Sequence, residues 1–124
     1  MASAPPCTAG LDVGIVLDKS KSVQIPNLRI VIRFLGRLIS QFRPAPNADH
    51  FGLITFHNKA TLAFNFANKQ YHNIKALQRR IAGESDRKQD WGTRTDLALK
   101  MARNGLFTKA GGDRPSKQIG RAHV

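Results

Sequence analysis

The chain has a single cysteine, Cys7, so no disulfide can close within it. That residue is either a free exposed thiol or half of a bridge whose partner lies outside this sequence. Acidic residues are also scarce: 8 Asp and Glu stand against 20 Lys and Arg, for a formal net charge of +12. No apolar run approaches the roughly 20 residues that a membrane-spanning helix requires. The opening residues, MASAPPCTAG, show neither a basic start nor an apolar stretch, so no secretory signal is read there. What remains is a 124-residue chain with 41% hydrophobic residues, the size and composition of one globular domain.

The positive excess invites an anionic partner: nucleic acid, anionic glycan or an acidic protein. The basic residues are spread along the chain rather than clustered, however. Arg29, Arg33 and Arg37 recur at four-residue spacing and read as one helix face, for which a solvated surface is the plain expectation.

Hydrophobic periodicity divides the chain into short elements. Residues 1–10, rich in Pro and Ala, read as a linker. A Val- and Ile-rich run over 11–17 predicts a buried strand, and Leu28, Val31, Leu35, Leu38, Ile39 and Phe42 predict a long helix over 25–42. HFGLITF at 50–56 is a second buried strand. Alternation over 61–66 predicts a half-buried third strand, antiparallel to the second because the connection is short. Helices are expected over 71–81 and 95–106, the latter with Leu97, Met101 and Leu99 inward. Residues 83–92 read as a polar surface loop, and 111–115 as a turn. The order predicts an α/β fold. The histidines His50, His57 and His72 lack metal-ligand spacing and read as surface or strand-end residues, and Trp91 as a loop aromatic.

The chemistry is concentrated in LDVGIVLDKSKS (11–22), where Asp18, Ser20 and Ser22 offer three oxygens on one loop after a strand. The carboxyl end of such a strand is where open α/β sheets place ligands, and oxygen donors suit a hard cation such as Mg²⁺. The competing reading is helix capping, since Asp and Ser are preferred N-caps; Thr93 and Thr95 are open to the same reading before the helix at 95. An aspartyl-phosphate enzyme would also place its nucleophile at Asp18, but it needs further carboxylates that Lys19 and Ser20 do not supply.

Asp18-x-Ser-x-Ser, the HFGLITF strand and Trp-Gly-Thr-Arg-Thr-Asp (91–96), in this order, resemble the von Willebrand factor A (vWA) domain over residues 11–118. The resemblance implies a Rossmann-like doubly wound fold with strand order 3-2-1-4-5-6. This chain would hold only the 3-2-1 side, mainly parallel with one antiparallel edge strand. It implies a metal-ion-dependent adhesion site with Asp18, Ser20, Ser22 and Thr93 as ligands to Mg²⁺ (or Mn²⁺ or Ca²⁺). A further aspartate of the family lies past the end of this sequence. The implied function is binding, not catalysis: an extracellular protein offers a Glu or Asp carboxylate to the ion. Collagen or another matrix protein is the expected partner class, an anionic glycan is possible, and neither nucleic acid nor a membrane is expected. Lys19, Lys21 and Arg94 would form the rim, with both lysines reaching solvent. Lysines between ligands, and Asp96 where the family often has glycine, depart from the family pattern. The family also implies that Cys7 pairs with a cysteine after the last helix, in a secreted protein. The tail IGRAHV (119–124) matches the translation of a common sequencing adapter and is expected to be an artefact.

Overall fold

The computed structural model describes residues 10–21, 24–86, 91–108 and 111–112. Residues 1–9 of the linker with Cys7, Ser22, residues 87–90 of the 83–92 loop, residues 113–115 of the turn and the 119–124 tail lie outside the described residues.

Three strands make one sheet in the order β1-β2-β3, where β1 is Asp12–Asp18, β2 His50–Phe56 and β3 Ala60–Phe64. β1 and β2 run parallel in register from Asp12 opposite His50 to Asp18 opposite Phe56, while β2 and β3 are antiparallel with a register shift at Leu53/Ile54. The expected 3-2-1 order with one antiparallel edge strand is therefore present.

Period-two alternation sorts the side chains of β1 and β2 to two cores. Val13, Ile15, Leu17, Phe51 and Leu53 face a cluster completed by Leu28, Ile32, Leu35 and Ile39 of α1 (Ile25–Ile39) and by Leu77 and Ile81 of α2 (Ile74–Ala82). Val16, Ile54 and Phe56 face the other way, onto Ala98 of α3 (Thr95–Met101) and onto Ala102 and Leu106 of the wider π-type turn Ala102–Leu106 that continues it. Helices thus cover both faces, as a doubly wound sheet requires. Gly14 and Gly52 face each other across β1 and β2, and their missing side chains leave the trough that Leu106 fills: a Cβ on Gly52 would come within 2.6 Å of it.

Several boundaries differ from the sequence expectation, each for a local reason. The third strand stops at Phe64 because the Asn65 side chain accepts the Ala67 amide at 3.0 Å, an Asx turn that competes with the ladder. Phe64 and Phe66 consequently enter different cores instead of sharing one face. Helix α2 begins at Ile74, where Asn73 caps it by accepting the Ala76 amide. A separate 3-10 turn, Lys69–Tyr71, occupies the positions before it. In α3 the inward residue is Ala98, while Leu99 is exposed and Leu97 and Met101 are half-buried. His50 stands at a strand end, opening β2, but it is buried and stacks on the half-buried His72 with ring centroids 3.9 Å apart, so neither is a surface residue.

Candidate functional site

Asp18 is the last residue of β1 and is half-buried. One of its carboxylate oxygens, Oδ1, accepts the backbone amide of Ser20 at 2.8 Å, which folds the loop back over the end of the strand. No hydrogen bond from a described residue reaches its other oxygen. Ser20 itself is buried, at 1% exposure. Neither residue caps α1. The N-cap is Gln24, held at φ 63°, and its side chain makes no capping hydrogen bond. The capping explanation for Asp18 and Ser20 therefore fails. Among the described residues Gln24 alone is a non-glycine in the left-handed region, a conformation that costs about 1–3 kcal/mol.

The second loop reaches the same end of the sheet through the last turn of β2. The Phe56 carbonyl accepts the Lys19 amide at 2.8 Å, and the next carbonyl, that of His57, accepts the Arg94 amide at 2.7 Å. Two consecutive carbonyls thus hold one residue from each loop, with Asp18 and Ser20 flanking the first and Thr93 preceding the second. A further contact links the loops directly: the Lys21 ammonium lies 5.5 Å from the centroid of the exposed Trp91 ring. Gly92 makes the approach possible. Its φ is +96°, and a Cβ there would come within 2.7 Å of Asn58.

Thr93 is exposed, as are Arg94 and Asp96. Thr95 is the first residue of α3 rather than its cap; that position is taken by Arg94, again without a side-chain hydrogen bond. Arg94 instead grips Asp96 with two parallel bonds, Nε to Oδ1 and Nη2 to Oδ2, both 2.9 Å. This hydrogen bonding, followed by the nearby positive charge and the amides of the first helical turn, holds the Asp96 carboxyl at about 2, and Asp96 in turn raises Arg94. Both groups are fully exposed.

Lys19 departs most from the sequence reading. It was expected to reach solvent at the rim, yet it is 3% exposed, and its Nζ donates to the Glu84 carbonyl at 2.8 Å and to Glu84 Oε1 at 3.0 Å. Glu84, in the supposed surface loop, is 2% exposed and sits in the 3-10 turn Gly83–Asp86. Arg80 takes its other oxygen, Oε2. Buried charges of this kind are tolerated only when paired. A lysine in an otherwise hydroxyl-rich loop was the one hint in the sequence. Nothing local pairs position 19 with position 84.

No group of three or more His, Cys, Asp or Glu side chains suited to a metal occurs among the described residues. A site of one carboxylate and several hydroxyls lies outside that description. The donor chemistry of Asp18, Ser20 and Thr93 fits a hard divalent cation: one carboxylate with an oxygen to spare, one buried hydroxyl and one exposed hydroxyl.

A sequence model of the von Willebrand factor type A domain matches residues 12–123. The chain is 35% identical over 104 residues to von Willebrand factor A domain-containing protein 1 of Bos taurus, covering 84% of this chain and 24% of that protein. It is 28% identical over 116 residues to Matrilin-1 of Gallus gallus, covering 88% of this chain and 22% of that protein. The chain therefore spans under a quarter of the length of these relatives. Among solved structures, proximal thread matrix protein 1 from the mussel byssus, with a zinc-occupied MIDAS motif, superposes with a TM-score of 0.74 at 21% identity, covering 94% of this chain and 28% of that one. The manganese-loaded TRAP protein of Plasmodium vivax gives 0.72 at 19% identity, covering 90% and 43%. At these identities the structural likeness speaks for the fold.

Proposed function

Because the chain belongs to the von Willebrand factor type A domain family, we propose that it is a divalent-metal-dependent binding module of a secreted or matrix protein. In this reading Asp18, Ser20, Ser22 and Thr93 hold Mg²⁺, with Mn²⁺ or Ca²⁺ as substitutes, and a partner's Glu or Asp carboxylate completes the shell. The observation that carries the reading is the release of Asp18 and Ser20 from capping, on a loop held beside the Thr93 loop by consecutive carbonyls of Phe56 and His57. Bound there, a divalent ion supplies a positive centre with an exchangeable water position; one carboxylate leaves its charge under-neutralised. The residues do the rest. Asp18 offers charge, the hydroxyls offer neutral oxygens, and Lys21 stands nearby to attract an acidic partner, while Arg94, also at the rim, has its charge paired with Asp96. This is binding chemistry, which requires neither a nucleophile nor a general base.

Two of the solved structures that share this fold carry metal, zinc in one and manganese in the other, which supports a divalent ion without selecting one. A matrix setting and a collagen-type or other matrix partner follow from the family resemblance. No helix of the described residues is long and apolar enough to cross a membrane. The deciding experiment is calorimetric titration with Mn²⁺ and Mg²⁺, followed by capture of an acidic-peptide library with and without EDTA. Binding of acidic peptides that EDTA abolishes and Mg²⁺ restores is the expected result; binding indifferent to EDTA sinks the proposal.

A second reading rests on charge. Arg29, Arg33 and Arg37 are all exposed along α1, beside exposed Ile30 and Phe34. An anionic glycan could bind that face, and its affinity would fall steeply with salt while ignoring EDTA.

A further inference from the structure

We propose that Lys19 and Glu84 form an internal latch that withholds a positive charge from the metal loop, making Glu84 a positioning residue for the ion; this rests on the metal reading of Asp18. Lys19 stands between two of the proposed ligands. A free ammonium there would repel a divalent cation and compete for the Asp18 carboxylate. The structure places that ammonium elsewhere. Its Nζ is buried against both the carbonyl and the Oε1 atom of Glu84, while its backbone amide is tied to Phe56 at the end of β2. The residue is thus fixed at both ends, which sets the turn that carries Asp18 and Ser20.

Glu84 is not itself available to the metal. Oε1 receives Lys19 and Oε2 receives Arg80, so both oxygens are engaged. Arg80 leaves α2 from the turn before Glu84 and packs its guanidinium 5.9 Å from the Phe64 ring, anchoring the carboxylate to the body of the domain. The latch therefore joins the Asp18 loop to the 3-10 turn that follows α2. A loop with lysine between its ligands is compatible with a divalent ion when such a counter-charge exists.

The test compares Mn²⁺ affinity by calorimetry, and melting temperature without metal, in the wild-type chain, Glu84→Gln, and Lys19→Met combined with Glu84→Gln. Glu84→Gln keeps the shape but strips the charge, leaving Lys19 to turn out beside Asp18; Mn²⁺ binding should weaken by about tenfold or more. The double variant has neither charge, and its affinity should return to within about threefold of wild type even if its melting temperature does not. A merely structural pair would lower the melting temperature in both variants and leave Mn²⁺ affinity alone. If Glu84→Gln does not fold, Glu84→Asp retracts the carboxylate without removing it and should bind Mn²⁺ more weakly than wild type. Equal affinities in wild type and Glu84→Gln (or Glu84→Asp), or a double variant that stays weak, would overturn the latch while leaving the metal reading intact. Wild-type chain that takes up no Mn²⁺ overturns the metal reading, and the latch with it.

Discussion

At the level of single residues, the carboxylate of Asp18 does two things at once. One oxygen shapes the loop by accepting the Ser20 amide, and in the proposed reading the other meets the ion. Asn keeps the first role and loses the charge needed for the second. Asp18→Asn should therefore abolish Mn²⁺ binding while changing stability by less than about 1 kcal/mol, read by calorimetry and chemical denaturation. Loss of the fold would show that Asp18 is structural. The Arg94–Asp96 pair gives a second expectation. Hydrogen bonds from Arg94 place the Asp96 carboxyl at about 2, below its usual range. A depressed acid contributes stability that is present above its unfolded value near 4 and is lost as pH falls through 2. Full exposure makes that contribution small. Carboxyl chemical shifts followed by NMR should show Asp96 titrating near 2 in the wild type and near its ordinary value in Arg94→Ala. An unchanged midpoint would mean that the bidentate contact does not persist in solution.

Between elements, the site depends on how closely backbones approach. Gly92 passes Asn58 at a φ that side chains avoid. Gly92→Ala should cost about 1–3 kcal/mol and should also weaken metal binding, because the Thr93 loop can no longer dock on the turn after β2. On the sheet face that α3 covers, Leu106 fills the trough between Gly14 and Gly52 and is fully buried. Leu106→Ala should destabilise by about 2–5 kcal/mol in denaturant melts, without altering Mn²⁺ affinity once folded. If Leu106→Ala moved the affinity as strongly as Gly92→Ala, the two ends of the sheet would be more coupled than the contacts suggest.

Across the whole molecule, β1 holds an unusual place. Its side chains are buried on both faces, as befits a central strand, yet among the described residues it pairs only with β2. Any backbone edge of β1 left without a strand partner is a template for association. The 124-residue chain should self-associate in a concentration-dependent way, seen by light scattering coupled to gel filtration. A monomer at all concentrations with a sharp cooperative melt would argue against this. The net charge of +12 opposes such contact at low salt, so association should increase as salt screens the repulsion.

What the sequence by itself determined were the features written in short-range periodicity: two buried strands, the apolar stripe of α1, and Asp18-x-Ser placed at a strand end. Strand order and the antiparallel edge were legible because the connections are short and the motifs occur in the family's order. Only the tertiary structure decided which side chains the site keeps. Lys19 turns inward to Glu84, 65 positions away, and no local pattern encodes a pair at that distance. The same holds for Gln24, which caps α1 in a conformation that its sequence does not suggest, and for the Phe56 and His57 carbonyls, whose role belongs to backbone rather than side chain. Periodicity reports which face of an element is buried. The burial of a charge, and the loop that it fixes, is settled by a partner that folding alone brings near.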